Sequence, residues 1–200
     1  MAGITVVKVG GNEVDDRAWV QQLASAVAER KGGVVVVHGG GKEVTELQRT
    51  LGAEPEWRDG LRVTTPEAIR AVSMVLSGVV NKRLVSALIT AGADAVGISG
   101  EDAALVGAKP AREGALGRTG EVVEVRTRVL EVLLAQGLVP VVSPVSRGPD
   151  GEALNVNADD AAAAIAGALG AERFLLVSNV PGVLDKGEPL DVVSVAGVED

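Results

Sequence analysis

The sequence predicts an α/β protein: a three-layer αβα sandwich around a mainly parallel central sheet. Three observations predict it. The apolar runs "VVVV" (34–37), "VPVVSPV" (139–145) and "FLLV" (174–177) are nearly continuous rather than alternating, the pattern of strands buried on both faces. Strand-like and helix-like segments alternate along most of the chain, as crossover connections require. Apolar residues make up 46% of the 200 positions, ample for a core of one α/β unit.

Taken in order, Ile4–Val9 reads as a strand, followed by a helix over Asp15–Arg30. Asp15 or Asp16 caps that helix, Trp19, Leu23 and Val27 share one face, and Gly32–Gly33 stop it. Val34–Val37 is the second strand and Lys42–Leu51 the second helix. The stretch "AEPEWRDGLRVTTPEA" reads as a loop or an edge excursion. A long helix is predicted from Pro66 to about Thr90, with Ile69, Val72, Leu76, Val80, Leu84 and Leu88 at helical spacing and Gly78 as a kink point. Thr65 caps it with Pro66 at the first helical position, or Thr64 and Glu67 form a capping box. Ala95–Ser99 is a strand, and short runs over 103–126 suggest antiparallel strands in a small subdomain. Thr127–Gln136 is a helix, Leu138–Val145 a strand, Gly148–Gly151 a turn, Asp159–Leu169 a helix and Arg173–Ser178 a strand.

Several function classes are excluded early. A net charge of −8 with 2% aromatic residues lacks both the basic footprint and the stacking surfaces of a nucleic-acid binder. No apolar run approaches the ~18 residues that span a bilayer, and no signal-peptide layout precedes the first strand. No membrane partner is expected. The absence of cysteine excludes disulfides and thiolate metal sites, and the sequence predicts a cytoplasmic protein.

Ligands of parallel α/β sheets bind beyond the carboxyl ends of strands. Four predicted strands lead into segments rich in Gly, Asn or Asp: Gly10–Gly11–Asn12, Gly39–Gly40–Gly41, Asn155–Asp159 and Asn179–Gly182. Glycines let the backbone approach a ligand, and a following helix presents its positive end. The P-loop pattern fails, because Glu43 follows Lys42 and the first glycine is missing; G-x-G-x-x-G fails at Val44. Two glycine loops on neighbouring strands still favour a phosphate or carboxylate.

Lys8 lies inside a strand of valines, one residue before the double glycine. Alone it reads as a snorkelling edge residue. Beside the glycines it aims an ammonium at a phosphoryl group gathering negative charge. "RDGLRVT" offers Arg58 and Arg62; Arg62 sits between Leu61 and Val63, faces away from both if extended, and there can clamp a carboxylate. "ALNVNADD" places Asn155 and Asn157 on one face and Asp159 and Asp160 at a helix start, where an aspartate is often just a cap. His38, the sole histidine, reads as structural, because phosphate transfer to an ionised carboxylate needs no base.

Together "VVKVGGN", "VVVVHGGGKEV", "RDGLRVTTPE", "NKRL", "AVGISGED", "LGRTGEV", "GLVPVVSPV", "LNVNADDAAAAIAGALGAE" and "LLVSNVPGVLD" resemble, in order, the amino acid kinase family. Within it they are most similar to the branch that phosphorylates N-acetyl-L-glutamate. The resemblance implies a carbamate kinase-like sandwich that uses ATP, with Mg2+ carried on the nucleotide, to convert the side-chain carboxylate of N-acetyl-L-glutamate to an acyl phosphate in arginine biosynthesis. Position by position, it implies that Lys8 stabilises the transferring phosphoryl group and that Asp159 orients the catalytic lysines. Gly10 and Gly11, with Gly40 and Gly41, offer N–H groups to phosphate and substrate. Arg62 and Asn155 hold the substrate's α-carboxylate, and Asn179, Val180, Pro181, Gly182, Val183 and Leu184 border the nucleotide.

The family's chains continue further, with a second catalytic lysine. The resemblance therefore implies one domain over 1–200, an acyl-substrate lobe and, from about residue 171, the start of a nucleotide lobe, with weak or no turnover by the isolated chain. It also implies an arginine-insensitive homodimer. Two alternatives stand beside it. One is a kinase for carrier-protein-linked aminoadipate or glutamate, which shares the look of "MVLSGVVNKRLV" and "SNVPGVL". The other is a non-catalytic module that binds acetylglutamate.

Overall fold

The computed structural model describes residues 3–11, 13–178, 182, 184–185, 188–192 and 194. The chain begins with β1 (Thr5–Val9), a single 3-10 turn (Glu13–Asp15) and α1 (Arg17–Ala28). Asp16 caps α1 by accepting the N–H groups of Ala18 and Trp19 at 2.8 and 3.1 Å. β2 (Val34–His38) leads to α2 (Gly41–Thr50). The stretch read as a loop or an edge excursion is a hairpin of β3 (Glu56–Arg58) and β4 (Leu61–Val63), closed by Asp59 and Gly60, both at positive φ.

The predicted long helix is continuous but changes pitch. α3 (Pro66–Ser73) passes through a π-helical segment, Met74–Val80, into α4 (Asn81–Thr90), so Gly78 sits in a widened turn rather than at a kink. Thr65, not Thr64, is its cap, accepting Ala68 N–H at 3.1 Å. As a helix, Pro66–Thr90 is long and apolar enough by composition to cross a bilayer, although polar residues interrupt its apolar runs. Here Ile69, Val72, Leu76, Val80, Leu84 and Leu88 all face the core.

β5 (Ala95–Ser99) precedes β6 (Val106–Pro110), β7 (Thr119–Val125) and α5 (Arg128–Ala135). The single strand expected over Leu138–Val145 is divided at Pro144 into β8 (Val139–Ser143) and β9 (Val145–Arg147), since proline supplies no ladder N–H. β10 (Ala153–Val156), α6 (Ala158–Ala168), β11 (Arg173–Val177) and the pair β12 (Leu184–Asp185) and β13 (Glu188–Pro189) complete the described elements.

Five parallel strands form the central sheet in the order β11-β1-β2-β8-β5, and β10-β7-β6-β9 close a small barrel. The antiparallel pair expected in 103–126 is β6–β7, but it closes only with strands that follow β8. Side-chain alternation divides the core in two. Val7, Val9, Val34 and Val36 meet α1, α3 and α4, whereas Val6, Val35, Val37 and Val142 meet α5 and α6. Each buried valine contributes roughly 1.5–2 kcal/mol of apolar transfer. The two-sided burial expected of the continuous apolar runs holds for β2 and most of β8 and fails for β11. That strand lies at the sheet edge, with Phe174, Leu175 and Leu176 exposed.

The same alternation places Lys8. It pairs in register with Val37, on the α6 side of the sheet. His38 pairs with Val9 and points to the α4 side. The only histidine and the strand lysine therefore face opposite layers.

A cavity between two glycine loops

A cavity of about 210 Å³ opens beyond the carboxyl ends of β1, β2 and β10, under the β3–β4 hairpin. Its wall includes Lys8, Gly11, Gly39, Gly40, Gly41, Arg62, Asn155 and Asp159. Lys8 is nearly buried, and its Nζ lies 2.9 Å from Asp159 Oδ1 in the first turn of α6. Asp159 is not the helix cap: Asn157 is, accepting Asp159 N–H at 2.7 Å and Asp160 N–H at 3.4 Å. The Asp159 carboxylate is left to meet the ammonium.

The glycine loops touch. A Cβ built on Gly11 would lie 3.0 Å from Gly40 N and 3.1 Å from Gly41 N, so any side chain there would fill the space beside those amides. Gly40 has φ +155°, and its Cβ would meet Leu76 Cδ2 at 2.8 Å and Val80 Cγ2 at 3.0 Å. The π segment thus roofs the loop and requires glycine beneath it. Gly41 opens α2, and the first N–H groups of a helix have no partner inside it. With the start of α6 also in the wall, two positive helix ends and two cations surround one carboxylate, an arrangement that attracts an anion.

Arg62 is 5% exposed. Its guanidinium donates to Gln48 Oε1 at 2.6 Å, Gly41 O at 2.9 Å and Thr45 Oγ1 at 2.8 Å. Burial draws its pKa below the ordinary value, yet an arginine stays charged in a protein. Three of its five N–H groups are engaged, leaving two for an incoming carboxylate. Asn155 donates to Thr64 Oγ1 at 3.0 Å. Beneath them the Thr119 hydroxyl donates to the Arg62 carbonyl, tying the hairpin to the barrel.

Not every expected residue joins this wall. Gly10 does not line it; its N–H is engaged by Val177 O at 3.2 Å, so it has none to offer phosphate. Arg58 is exposed and paired with Glu56. Asn12, Asn179, Val180, Pro181 and Val183 lie outside the described residues. Gly182 does not line the cavity, and Leu184 belongs to β12. The wall also holds residues the sequence does not mark directly, Trp57 and Thr119 among them. Trp57 stacks over Arg62, ring centroid to Cζ 4.4 Å. The "DG" turn at 59–60 was the available signal, because a hairpin there pairs Trp57 with Arg62.

His38 is fully buried. Its Nδ1 donates to Gly39 O at 2.9 Å, and its Nε2 accepts from Asn81 Nδ2 at 3.2 Å. Asn81 Nδ2 also reaches Val141 O at 2.9 Å and Ile98 O at 3.3 Å, joining β2, β8 and β5. Burial lowers the His38 pKa from 6.5 to about 4. The unfolded chain then binds a proton that the folded one refuses, so stability rises with pH across this window. Stability is expected to fall by on the order of 3 kcal/mol as pH drops from about 6.5 to about 4. Urea unfolding at pH 7 and pH 4.5 checks this, and His38→Gln should flatten the difference.

Residues 3–196 match the Amino acid kinase family. The acetylglutamate kinase of Roseiflexus sp. (strain RS-1) is 49% identical over 196 residues, covering 97% of this chain and 75% of that one. That of Chloroflexus aurantiacus (strain J-10-fl) is 44% identical over 203 residues, covering 100% and 80%. This chain thus spans about three quarters of their length. Among solved structures, smu.665 from Streptococcus mutans UA159 superposes with a TM-score of 0.86 at 29% identity, covering 100% of this chain and 82% of that one.

Proposed function

We propose a function from one premise: the chain belongs to the amino acid kinase family. The function is ATP-dependent phosphorylation of the side-chain carboxylate of N-acetyl-L-glutamate, a reading supported by relatives named acetylglutamate kinase. The observation that carries it is the meeting of Lys8, the Gly11, Gly40 and Gly41 backbone and Arg62 in one cavity. A carboxylate oxygen attacks the γ-phosphorus. The bond from that phosphorus to the β–γ bridging oxygen breaks, leaving an acyl phosphate and ADP with no proton to move. Such a reaction asks the protein for positioning and charge neutralisation. Arg62 and Asn155 suit the acceptor's α-carboxylate, and Lys8 the phosphoryl oxygens. The cradle beside Gly11, which a Cβ would fill, suits phosphate held by the Gly40 and Gly41 amides. Mg2+ arrives with the nucleotide and neutralises phosphate charge.

The same proposal assigns the residues before about 171 to the acyl-substrate lobe and those after to the start of a nucleotide lobe, in a cytoplasmic homodimer. A carrier-linked substrate fits less well. Carriers of that kind are acidic, and this chain's net charge is −8.

Two measurements test the function. Calorimetry should show N-acetyl-L-glutamate binding, and hydroxylamine should trap acyl phosphate as hydroxamate when MgATP is added. N-acetyl-L-glutamate binding without MgATP binding would favour the non-catalytic module. Binding of neither ligand would sink the proposal.

A further inference from the structure

Arg83 stands outside the cavity, in the first turn of α4. Its Nη1 donates to Glu43 Oε1 at 2.6 Å and to Val14 O at 3.2 Å, and lies 3.6 Å from Asp15 Oδ1. Val14 and Asp15 belong to the 3-10 turn that follows Gly10–Gly11, and Glu43 stands two residues beyond Gly41. One side chain therefore reaches both glycine loops from behind. On the cavity side the loops meet through backbone alone, since a Cβ on Gly39 would lie 3.4 Å from Gly11 N.

We propose that Arg83 is a positioning residue that sets the separation of the two glycine loops, and with it the aim of the amides they present to an anion. Only the identity of that anion rests on the transferase reading. The surrounding charges give the clamp its force. Asp15 and Glu43 face each other across the two loops. Burial, then the Glu43 carboxyl, raises the Asp15 pKa, while the Arg83 hydrogen bond is the largest influence lowering that of Glu43. Lys42 is the other cation acting on both carboxyls, and Arg17 on α1 lines the same α1–α4 groove as Arg83. Asp15 Oδ1 is buried without a hydrogen bond; Lys42 and, after it, the Arg83 guanidinium 3.6 Å away offset its charge. Remove Arg83, and two adjacent carboxylates repel. A clamp becomes a wedge.

The test compares wild type, Arg83→Met and the double variant Arg83→Met/Glu43→Gln. Hydrogen exchange is read at the bonded loop amides of Asp16, Gly39 and Val44, and N-acetyl-L-glutamate is titrated by calorimetry. At pH 7.5 Arg83→Met should lower protection at these amides about tenfold, with interior amides of β8 and α6 unchanged. Lowering the pH until one carboxyl of the crowded pair takes up a proton should restore protection to within about threefold of wild type. The double variant should do the same at pH 7.5. Dissociation constants for N-acetyl-L-glutamate should rise and recover in the same order. Unchanged loop protection in Arg83→Met would overturn the clamp, as would a loss spread evenly over the molecule or one indifferent to pH and to Glu43→Gln. If wild type binds no acetylglutamate, the acceptor assignment fails, while the exchange data still decide the clamp.

Discussion

Lys8→Met is expected to lower the rate of acyl phosphate formation about 10²–10³-fold, with a much smaller change in N-acetyl-L-glutamate affinity. The ammonium is fixed before any substrate arrives. β1 directs it to the α6 face, the sheet leaves it 13% exposed, and Asp159 holds Nζ at 2.9 Å. A charge so placed acts most strongly where charge accumulates, on the phosphoryl group in flight rather than on the resting acceptor. Lys8→Arg should not rescue the rate, because a planar fork cannot replace a compact ammonium beside a carboxylate in this space. Hydroxamate trapping at saturating substrates gives the rate and calorimetry the affinity. A Lys8→Met protein that turns over at the wild-type rate would remove the lysine from the chemistry.

Arg62→Ala should weaken N-acetyl-L-glutamate binding about 10²-fold, the cost of truncating one partner of a buried charge pair. It should also destabilise the fold by roughly 3 kcal/mol. Gln48, itself buried, would lose the donor to its Oε1, at a cost of about 1–3 kcal/mol. Loss of the Trp57 stack adds roughly 0.5–2 kcal/mol. Arg62→Lys keeps the charge but not the fork, so part of the stability should return and little of the affinity. Urea midpoints and calorimetric titrations separate the two effects. Wild-type affinity in Arg62→Ala would remove this residue from acceptor recognition.

Much of this fold was legible from local pattern. Valine runs located β1, β2 and β8, and the glycines that end helices located most boundaries, with Ala95–Ser99 matched residue for residue. Lys8, Arg62, Asn155 and Asp159 were picked out because each is polar in an apolar or helix-starting context, and all four line one cavity. What local pattern does not carry is which elements meet. The barrel needs β7 to pair with β10 across more than thirty residues, and nothing in "GEVVEVR" announces that partner. Asn157 and Asp159 are both good caps by type, and only backbone geometry chooses Asn157. Gly10 looks like Gly11 in sequence, but the neighbouring strand β11 takes its N–H. Nothing in the sequence singles out Arg83, because its place behind the two loops exists only in the folded chain.

The path from β10 into α6 has one more consequence. Asn155 is the penultimate residue of β10, and Asp159 follows four residues later, with the Asn157 cap between them. The group proposed for the acceptor and the carboxylate paired with the strand ammonium thus lie on one short segment. Changes that retune this segment for a bulkier acceptor will also turn the ammonium, so selectivity and speed cannot drift independently in descendants of this protein. New acceptors are more readily reached through the hairpin, whose Trp57 can vary without disturbing that segment.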